Sequence, residues 1–169
     1  MTHRPSLAEP AFPDDDGLVD AALSAALGDD TRVLAVLGGV RVFVPVVALL
    51  DDTPAEPGGG SGQRAEDGTA KEADMAAVMM TGADGRQALM AFSSVAAMTA
   101  WNADARPVPV WSRQAARAAL DEGASAVLLD LASPTFTVIE TADVEHLAAG
   151  HRLVSTEAGP AWVTGPPDL

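Results

Sequence analysis

The chain has 169 residues, which suits one ordinary domain and is too few for two well-filled ones. Its 24 acidic and 10 basic side chains give a formal net charge of −14, so phosphate backbones and anionic membrane surfaces would repel it. There is no cysteine, which excludes disulfides, thiolate metal sites and cysteine nucleophiles. Direct binding to nucleic acid or to a membrane is therefore not expected.

Three segments are too polar, or too rich in proline and glycine, to bury the apolar surface that would offset the entropy of ordering them. We expect residues 1–16 to be a disordered acidic N-terminus, 51–73 a flexible insertion, and 164–169 a tail. The single domain is then predicted to span 17–163. The start of the chain lacks the apolar core of a signal peptide, and the longest apolar stretch, 40–50, is about half of the roughly 20 residues that a spanning helix needs. These features predict a cytoplasmic protein.

The first elements are predicted from apolar periodicity and from glycine and proline positions. Apolar side chains at helical spacing predict a helix over 18–27 that ends at Gly28. Two apolar runs, 33–37 and 40–47, flank a pair of glycines and are predicted to form a β-hairpin. Pro45 has no N–H to donate, which indicates that the second strand lies at a sheet edge or carries a bulge.

The rest of the chain alternates between hairpins and short helices. Further hairpins are predicted around the turns at Asp84-Gly85 and Ser133-Pro134. Helices are predicted after caps at Ser93 or Ser94, at Ser112 and at Thr141, and short strands near 108–110 and 162–163. Since hairpins join most of the strands, we predict a single α+β domain with a mainly antiparallel (mixed) β-sheet and about four helices.

No arrangement of residues is typical of catalysis, of a cofactor or of a metal site. His146 and His151 are five residues apart, unlike the i, i+4 pair of a helical metal site, and are interpreted as surface or helix-terminus residues. Ser93-Ser94 is interpreted as a helix cap. Asp130 ends a buried strand, and we interpret it as an acceptor for backbone N–H groups around Ser133-Pro134. We expect no catalytic, cofactor-binding or metal-binding residue and no cofactor.

Three tryptophans occur in a chain with only 4% aromatic residues. A half-exposed tryptophan is common at binding hot spots, whereas one on an apolar helix face more often completes the core. The helical position of Trp101 favours the core, and for Trp111 the two interpretations are nearly even. We predict an interaction surface that includes Trp111, Trp101 and Arg113.

The order of several short motifs resembles that of a known family. The motifs are Val42-Phe43-Val44-Pro45-Val46, Asp84-Gly85-Arg86, Leu89-Met90-Ala91-Phe92-Ser93-Ser94 followed by Trp101, an alanine-rich helix, the strand 127–131, and Ser133-Pro134. Over residues 17–150 their order and spacing are similar to those of the N-terminal domain of the SseB family, named for enhanced serine sensitivity. Longer members of the family carry a second, C-terminal domain. The motifs here match the N-terminal domain only, so the chain resembles the actinobacterial single-domain type.

The resemblance implies a protein with no established catalytic activity and no agreed site, so no functional residue is carried over. It also implies a link to serine and sulfur amino-acid metabolism, with a sulfurtransferase or a cysteine desulfurase as the suggested kind of partner. We therefore expect a cytoplasmic protein-interaction module that is not an enzyme.

Two other functions stay open at this point. One is a small-molecule (amino-acid) sensor or an enzyme of amino-acid metabolism, which would need a pocket where Arg86, Arg113 and Asp130 converge. The other is RNA binding, which would need a basic patch; the candidate residues are Arg86, Arg106, Arg113 and Arg117.

Overall fold

The computed structural model describes residues 12–48 and 75–165. In these residues five helices and nine strands occur. The helices are α1 (Ala21–Ala26), α2 (Asp30–Leu37), α3 (Val95–Trp101), α4 (Ser112–Asp121) and α5 (Thr141–Ala148). The strands are β1 (Arg41–Ala48), β2 (Met75–Ala77), β3 (Met79–Thr81), β4 (Gln87–Ala91), β5 (Arg106–Trp111), β6 (Ala126–Leu129), β7 (Thr137–Glu140), β8 (His151–Thr156) and β9 (Gly159–Thr164).

The strands form three sheets, with orders β2-β1-β5, β3-β4-β6-β7 and β8-β9. Every described pair of strands is antiparallel except β4–β6, which is parallel because α3, β5 and α4 lie between its strands. The first two sheets are joined where Phe43 and Phe92 exchange two backbone hydrogen bonds of 2.8 Å. The predicted α+β domain with mainly antiparallel, mixed strand pairing is confirmed.

The predicted strand over 33–37 is wrong, and the hairpin with it, because these residues belong to helix α2. The Asp29 carboxylate accepts a hydrogen bond from the Arg32 N–H (3.1 Å) and caps the helix. Val33 and Leu37, one helical turn apart, are both buried. A five-residue apolar run is compatible with either a strand or a helix. The Asp29 cap and the burial of Val33 and Leu37 distinguish the two and are those of a helix. This helix is the one beyond the four that were predicted.

The expectation that Pro45 places its strand at a sheet edge is wrong, because β1 is the central strand of its sheet. Phe43 directs its N–H and C=O to Phe92, and Pro45, two residues along, faces the same side. The position where proline lacks an N–H lies between the Phe43–Phe92 bridge and the pairing with β2. The Pro45 carbonyl still accepts a hydrogen bond from the Val78 N–H (3.1 Å). A proline is therefore tolerated where the ladder is already interrupted.

Two apolar clusters form the interior. The larger packs α1, α2, α4 and α5 against one face of the sheets; among its buried members are Leu23, Val33, Leu89, Ala119, Leu129 and Ile139. The smaller lies beneath α3 and contains Phe43, Met90, Phe92, Met98 and Ala105. None of the described helices has the length and apolar composition to cross a bilayer.

Part of the N-terminal segment that was expected to be disordered contacts the domain. Within residues 12–16, Phe12 packs on Trp111 and Asp15 pairs with Arg41. Residues 1–11 and the predicted insertion 51–73 lie outside the described residues, as do the last four residues of the predicted tail. Thr164, the first residue of that tail, belongs to β9.

Candidate functional site

Short side-chain to backbone bonds fold the acidic segment ahead of α1. The Asp15 carboxylate accepts from the Gly17 N–H (2.8 Å), and Asp16 accepts from the Leu18 N–H (2.9 Å). Gly17 has φ +75° and its carbonyl accepts from the Val95 N–H (2.9 Å). A Cβ at Gly17 would lie 2.9 Å from the Val95 side chain, so the close approach requires glycine. The segment is thus fixed against α3.

Arg41, the first residue of β1, ties this segment to the sheet. Its Nε lies 2.6 Å from Asp15 Oδ2, and its Nη2 donates to Asp15 Oδ1 (2.9 Å) and to the Leu18 carbonyl (2.7 Å). Its Nη1 donates to the Ser93 carbonyl (3.2 Å). The Arg41 and Asp15 side chains are only 12% and 11% exposed. This two-pronged ion pair is therefore largely withdrawn from water, where such pairs hold geometry well.

The anchored segment forms one wall of a groove beside Trp111. The rings of Phe12 and Trp111 meet edge to face, with centroids 5.0 Å apart and planes at 60°. Trp111 stays 39% exposed despite this contact. The groove has a volume of about 480 Å³. Its lining consists of Phe12, Pro13, Asp14, Asp15, Asp16, Asp20, Gly39, Arg41 and Trp111.

The groove carries a net negative charge at its surface. Asp14, Asp16 and Asp20 are exposed, whereas the charge of Arg41 is already paired with Asp15. Asp20 also caps α1, because its Oδ1 accepts from the Ala22 N–H (2.8 Å). An exposed indole beside carboxylates can hold a cation through its π face and through charge attraction.

The three residues of the predicted interaction surface lie in different places. Trp111 lines the groove. Trp101 is partly buried beside the smaller core cluster, with its ring centroid 5.5 Å from that of Phe92. Arg113 is exposed on α4 and lines a separate cleft of about 350 Å³ with Arg117. We therefore keep Trp111 as the centre of the candidate site.

The pocket required by the small-molecule alternative is not formed by the residues proposed for it. Arg86 lies on the β3–β4 turn, where its Nε contacts Asp84 Oδ2 (2.7 Å). The hydrogen bond from this exposed guanidinium lowers the pKa of Asp84. Arg113 lines the cleft on α4, and Asp130 is buried with 2% exposure. The three groups thus lie at three separate positions.

The predicted partner of Asp130 is wrong. Its Oδ1 accepts from the Ser93 N–H (2.8 Å) and its Oδ2 from the Ser93 hydroxyl (2.6 Å). In the turn, the Ser133 N–H donates instead to the Asp130 backbone carbonyl (2.8 Å). Asp130 and Ser93 follow the adjacent ends of parallel strands β6 and β4, a proximity that only the strand pairing reveals. The pair is a buried connection between the two strand ends.

Sequence reasoning missed a cluster around the two histidines. The Nδ1 atoms of His146 and His151 are 2.8 Å apart, so one ring donates and the other accepts. The Trp162 ring stacks on His146 at 5.0 Å and 18°, and its Nε1–H donates to Asp143 (3.0 Å). The β8–β9 hairpin makes these contacts, and β8 was not predicted. Among the described residues no group of three or more metal-ligating side chains could hold an ion.

Comparison with known proteins identifies the family. The family model described as the SseB protein N-terminal domain matches residues 19–146, from just before α1 into α5. Comparison with curated proteins and with solved structures gives no match. The match covers β1 to β7 and most of both core clusters. It includes Trp111 and Arg41, whereas Phe12 and the acidic residues 14–16 precede it. The chain therefore belongs to the SseB family, through a match to its N-terminal domain.

Proposed function

We propose that this SseB-family chain is a non-catalytic, cytoplasmic protein-interaction module that docks a partner protein at the Phe12–Trp111 groove. The observation that carries the proposal is the exposure of Trp111, an aromatic side chain that is 39% exposed at a preformed groove. Tryptophan is among the residues most enriched in binding hot spots, because it buries a large area at little entropic cost. Asp15, anchored to Arg41 by the ion pair, also donates its backbone N–H to the Phe12 carbonyl (3.3 Å), which connects the Phe12 wall to the anchored residue.

Polar side chains that were candidates for catalysis are bonded to other side chains of the protein, which supports an interaction role over catalysis. Ser93 is 3% exposed and bonded to Asp130, and Arg86 is occupied by Asp84. A nucleophile or a general base needs a reacting atom within reach of a substrate. We place the partner in serine or sulfur amino-acid metabolism, as a sulfurtransferase or a cysteine desulfurase, on the strength of the family resemblance.

Capture from a lysate of the native host tests this proposal. The tagged 169-residue chain is compared with Trp111→Ala and with Phe136→Ala. The Phe136 side chain is similarly exposed (41%) but lies before β7, outside the groove lining. We expect mass spectrometry to find one enzyme enriched by the unchanged chain and by Phe136→Ala, and lost with Trp111→Ala. Equal recovery by all three proteins would contradict a docking role for the groove.

A further inference from the structure

We propose that the groove recognises a cationic side chain, an arginine or a lysine carried on an extended segment of the partner protein. This inference rests on the proposed function, because it names the chemistry of the ligand at the same groove. Three features of the groove lead to it: the exposed aromatic wall, the exposed carboxylates, and the internal pairing of Arg41, the one cation among the described lining residues.

The aromatic wall provides the first contact. Tryptophan is the best aromatic partner for a cation, and the edge-to-face contact with Phe12 fixes the orientation of the Trp111 ring. A guanidinium or ammonium group placed over an exposed ring strengthens binding by about two- to fivefold relative to a neutral group. The rest of a long basic side chain is aliphatic and can cover Phe12.

The carboxylates provide the second contact and select the sign of the ligand. Asp14, Asp16 and Asp20 are all exposed at the groove. Asp16 and Asp20 each use Oδ1 for a backbone N–H of their own turn, so their orientation is set before a ligand arrives. Because the groove is preorganised, a cation does not have to order these side chains on binding.

Arg41 does not cancel this preference. The Arg41 side chain is only 12% exposed, and its guanidinium is bonded to Asp15, to Leu18 and to Ser93. Arg41 therefore stabilises the structure beneath the groove and does not provide a binding site for an anion. The net charge of −14 on the whole chain adds long-range attraction for a basic partner and repulsion for an acidic one.

The size and openness of the groove favour a polypeptide segment over a free amine. A volume of about 480 Å³ exceeds one basic side chain and lies within the range of clefts that hold drug-sized ligands, which leaves room for the residues beside the cation. Next to the groove, β5 has prolines at 107 and 109, so it offers no N–H there for added strand pairing. The segment would then be held through its side chains, with cation recognition as the source of specificity.

Two blocked peptides test the inference on the full chain. One is acetyl-Gly-Arg-Gly-Arg-Gly-amide, and the other carries citrulline, a neutral isostere of arginine, at both arginine positions. The three indole N–H signals of the protein, assigned with single Trp→Phe variants, report where each peptide binds. We expect the arginine peptide to shift the Trp111 signal and to bind at least about threefold more tightly than the citrulline peptide. Raising ionic strength from about 0.1 M to about 1 M should remove most of that difference, because the Debye length falls from about 10 Å to about 3 Å.

Charge-only variants give the matched control. Asp14→Asn combined with Asp16→Asn removes two charges but keeps a side-chain oxygen at position 16 to accept from the Leu18 N–H. We expect this variant to lose the preference for arginine, whereas Glu157→Gln, in the distant β8–β9 turn, keeps it.

The outcomes separate this inference from the proposed function. Equal binding of both peptides at Trp111, or no shift of Trp111 with either, overturns the cationic ligand. Trp111-dependent capture of a partner from a lysate would in that case still support the docking role. If Trp111→Ala captures the same proteins as the unchanged chain, the docking role is overturned. Arginine-selective peptide binding would then describe a groove without a protein partner.

Discussion

At the scale of single residues, each buried polar side chain of the described residues is hydrogen-bonded to another group of the chain. Within the described part of the chain, no buried side-chain nitrogen or oxygen lacks a hydrogen-bond partner. Asp130 and Ser93 form the deepest of these pairs, with exposures of 2% and 3%. Asp130 has φ +56°, a conformation that aspartate and asparagine adopt more readily than other residues. The pair and the positive φ therefore constrain both the residue type and the backbone conformation at position 130, just after β6.

Ser93→Ala is predicted to destabilise the fold by about 1–3 kcal/mol, because Asp130 Oδ2 would lose its hydroxyl donor inside the protein. Chemical denaturation at neutral pH measures this change. Ser155→Ala, at an exposed position on β8, is the control and should change the free energy of unfolding by less than about 0.5 kcal/mol. Equal stability of the two variants would mean that the buried hydrogen bond contributes nothing.

The exposed pair of Asp84 and Arg86 allows a prediction about pH. The Arg86 side chain lowers the pKa of Asp84, so the ionised form is favoured in the folded protein. A lowered folded-state pKa adds stability that is present above the unfolded-state pKa and is lost as pH falls through the folded-state pKa. Solvent screening keeps this contribution small.

Arg86→Ala should raise the pKa of Asp84 towards that of an ordinary aspartate. The rise should be incomplete, because the backbone N–H of residue 86 still donates to Asp84 Oδ1 (3.1 Å). Titration of the Asp84 carboxyl carbon by NMR measures the change. Arg152→Ala, at an exposed position on β8, should leave the Asp84 titration unchanged. An unaltered Asp84 titration in Arg86→Ala would show that the ion pair does not persist in solution.

At the scale of elements, two prolines define the outer edge of β5. Pro107 pairs with Pro45, and Pro109 pairs with Phe43. Phe43 directs its backbone polar groups away from β5. Because pairing in an antiparallel ladder alternates, Pro109 and Pro107, which lie opposite Phe43 and Pro45, direct their backbone groups to the outer edge of the sheet. Both outer positions therefore lack an N–H, and the next N–H, on Trp111, is bonded to Gln114 Oε1 (3.3 Å). This arrangement protects the edge from pairing with another chain.

Replacing both prolines by valine should open this edge. We expect Pro107→Val with Pro109→Val to self-associate more strongly than the unchanged chain as concentration rises, because two unpaired N–H groups become available. Light scattering coupled to size-exclusion chromatography measures the mass. Pro134→Val, in the β6–β7 turn, is the matched control and should leave the mass unchanged. An unchanged mass for the double variant would show that the prolines do not protect the edge.

The elements that were predicted correctly have strong local signals. Ser94 caps α3, the turn at Asp84-Gly85 connects β3 to β4, and the short strand predicted near 108–110 is part of β5. The failures lack such signals. The apolar run of α2 is too short to show its period, and the central position of Pro45 depends on a partner far along the chain. The strand β8 is polar on its exposed side and shows little of the apolar pattern of a strand.

At the scale of the whole molecule, the candidate site lies where distant segments meet. Trp111 was identifiable from the sequence, because aromatic residues are scarce and it precedes a helix. Phe12 and the acidic residues were assigned to a disordered segment, since their composition is polar. The bond between Asp15 and Arg41, 26 positions apart, and the contact of Phe12 with Trp111 show that residues 12–16 are part of the fold. The wall of a site built from such a segment could not be predicted from composition.

In the function proposed above, Trp111 serves binding and not folding. The most direct measurement compares Trp111→Ala with the unchanged chain in two assays, thermal unfolding and calorimetric binding of the captured partner. A hot-spot tryptophan predicts binding weaker by at least about 30-fold, corresponding to about 2 kcal/mol, with a melting temperature lowered by less than about 4 °C. A large loss of melting temperature would place Trp111 in the core, and unchanged binding would remove the groove from the interface; either result contradicts the claim.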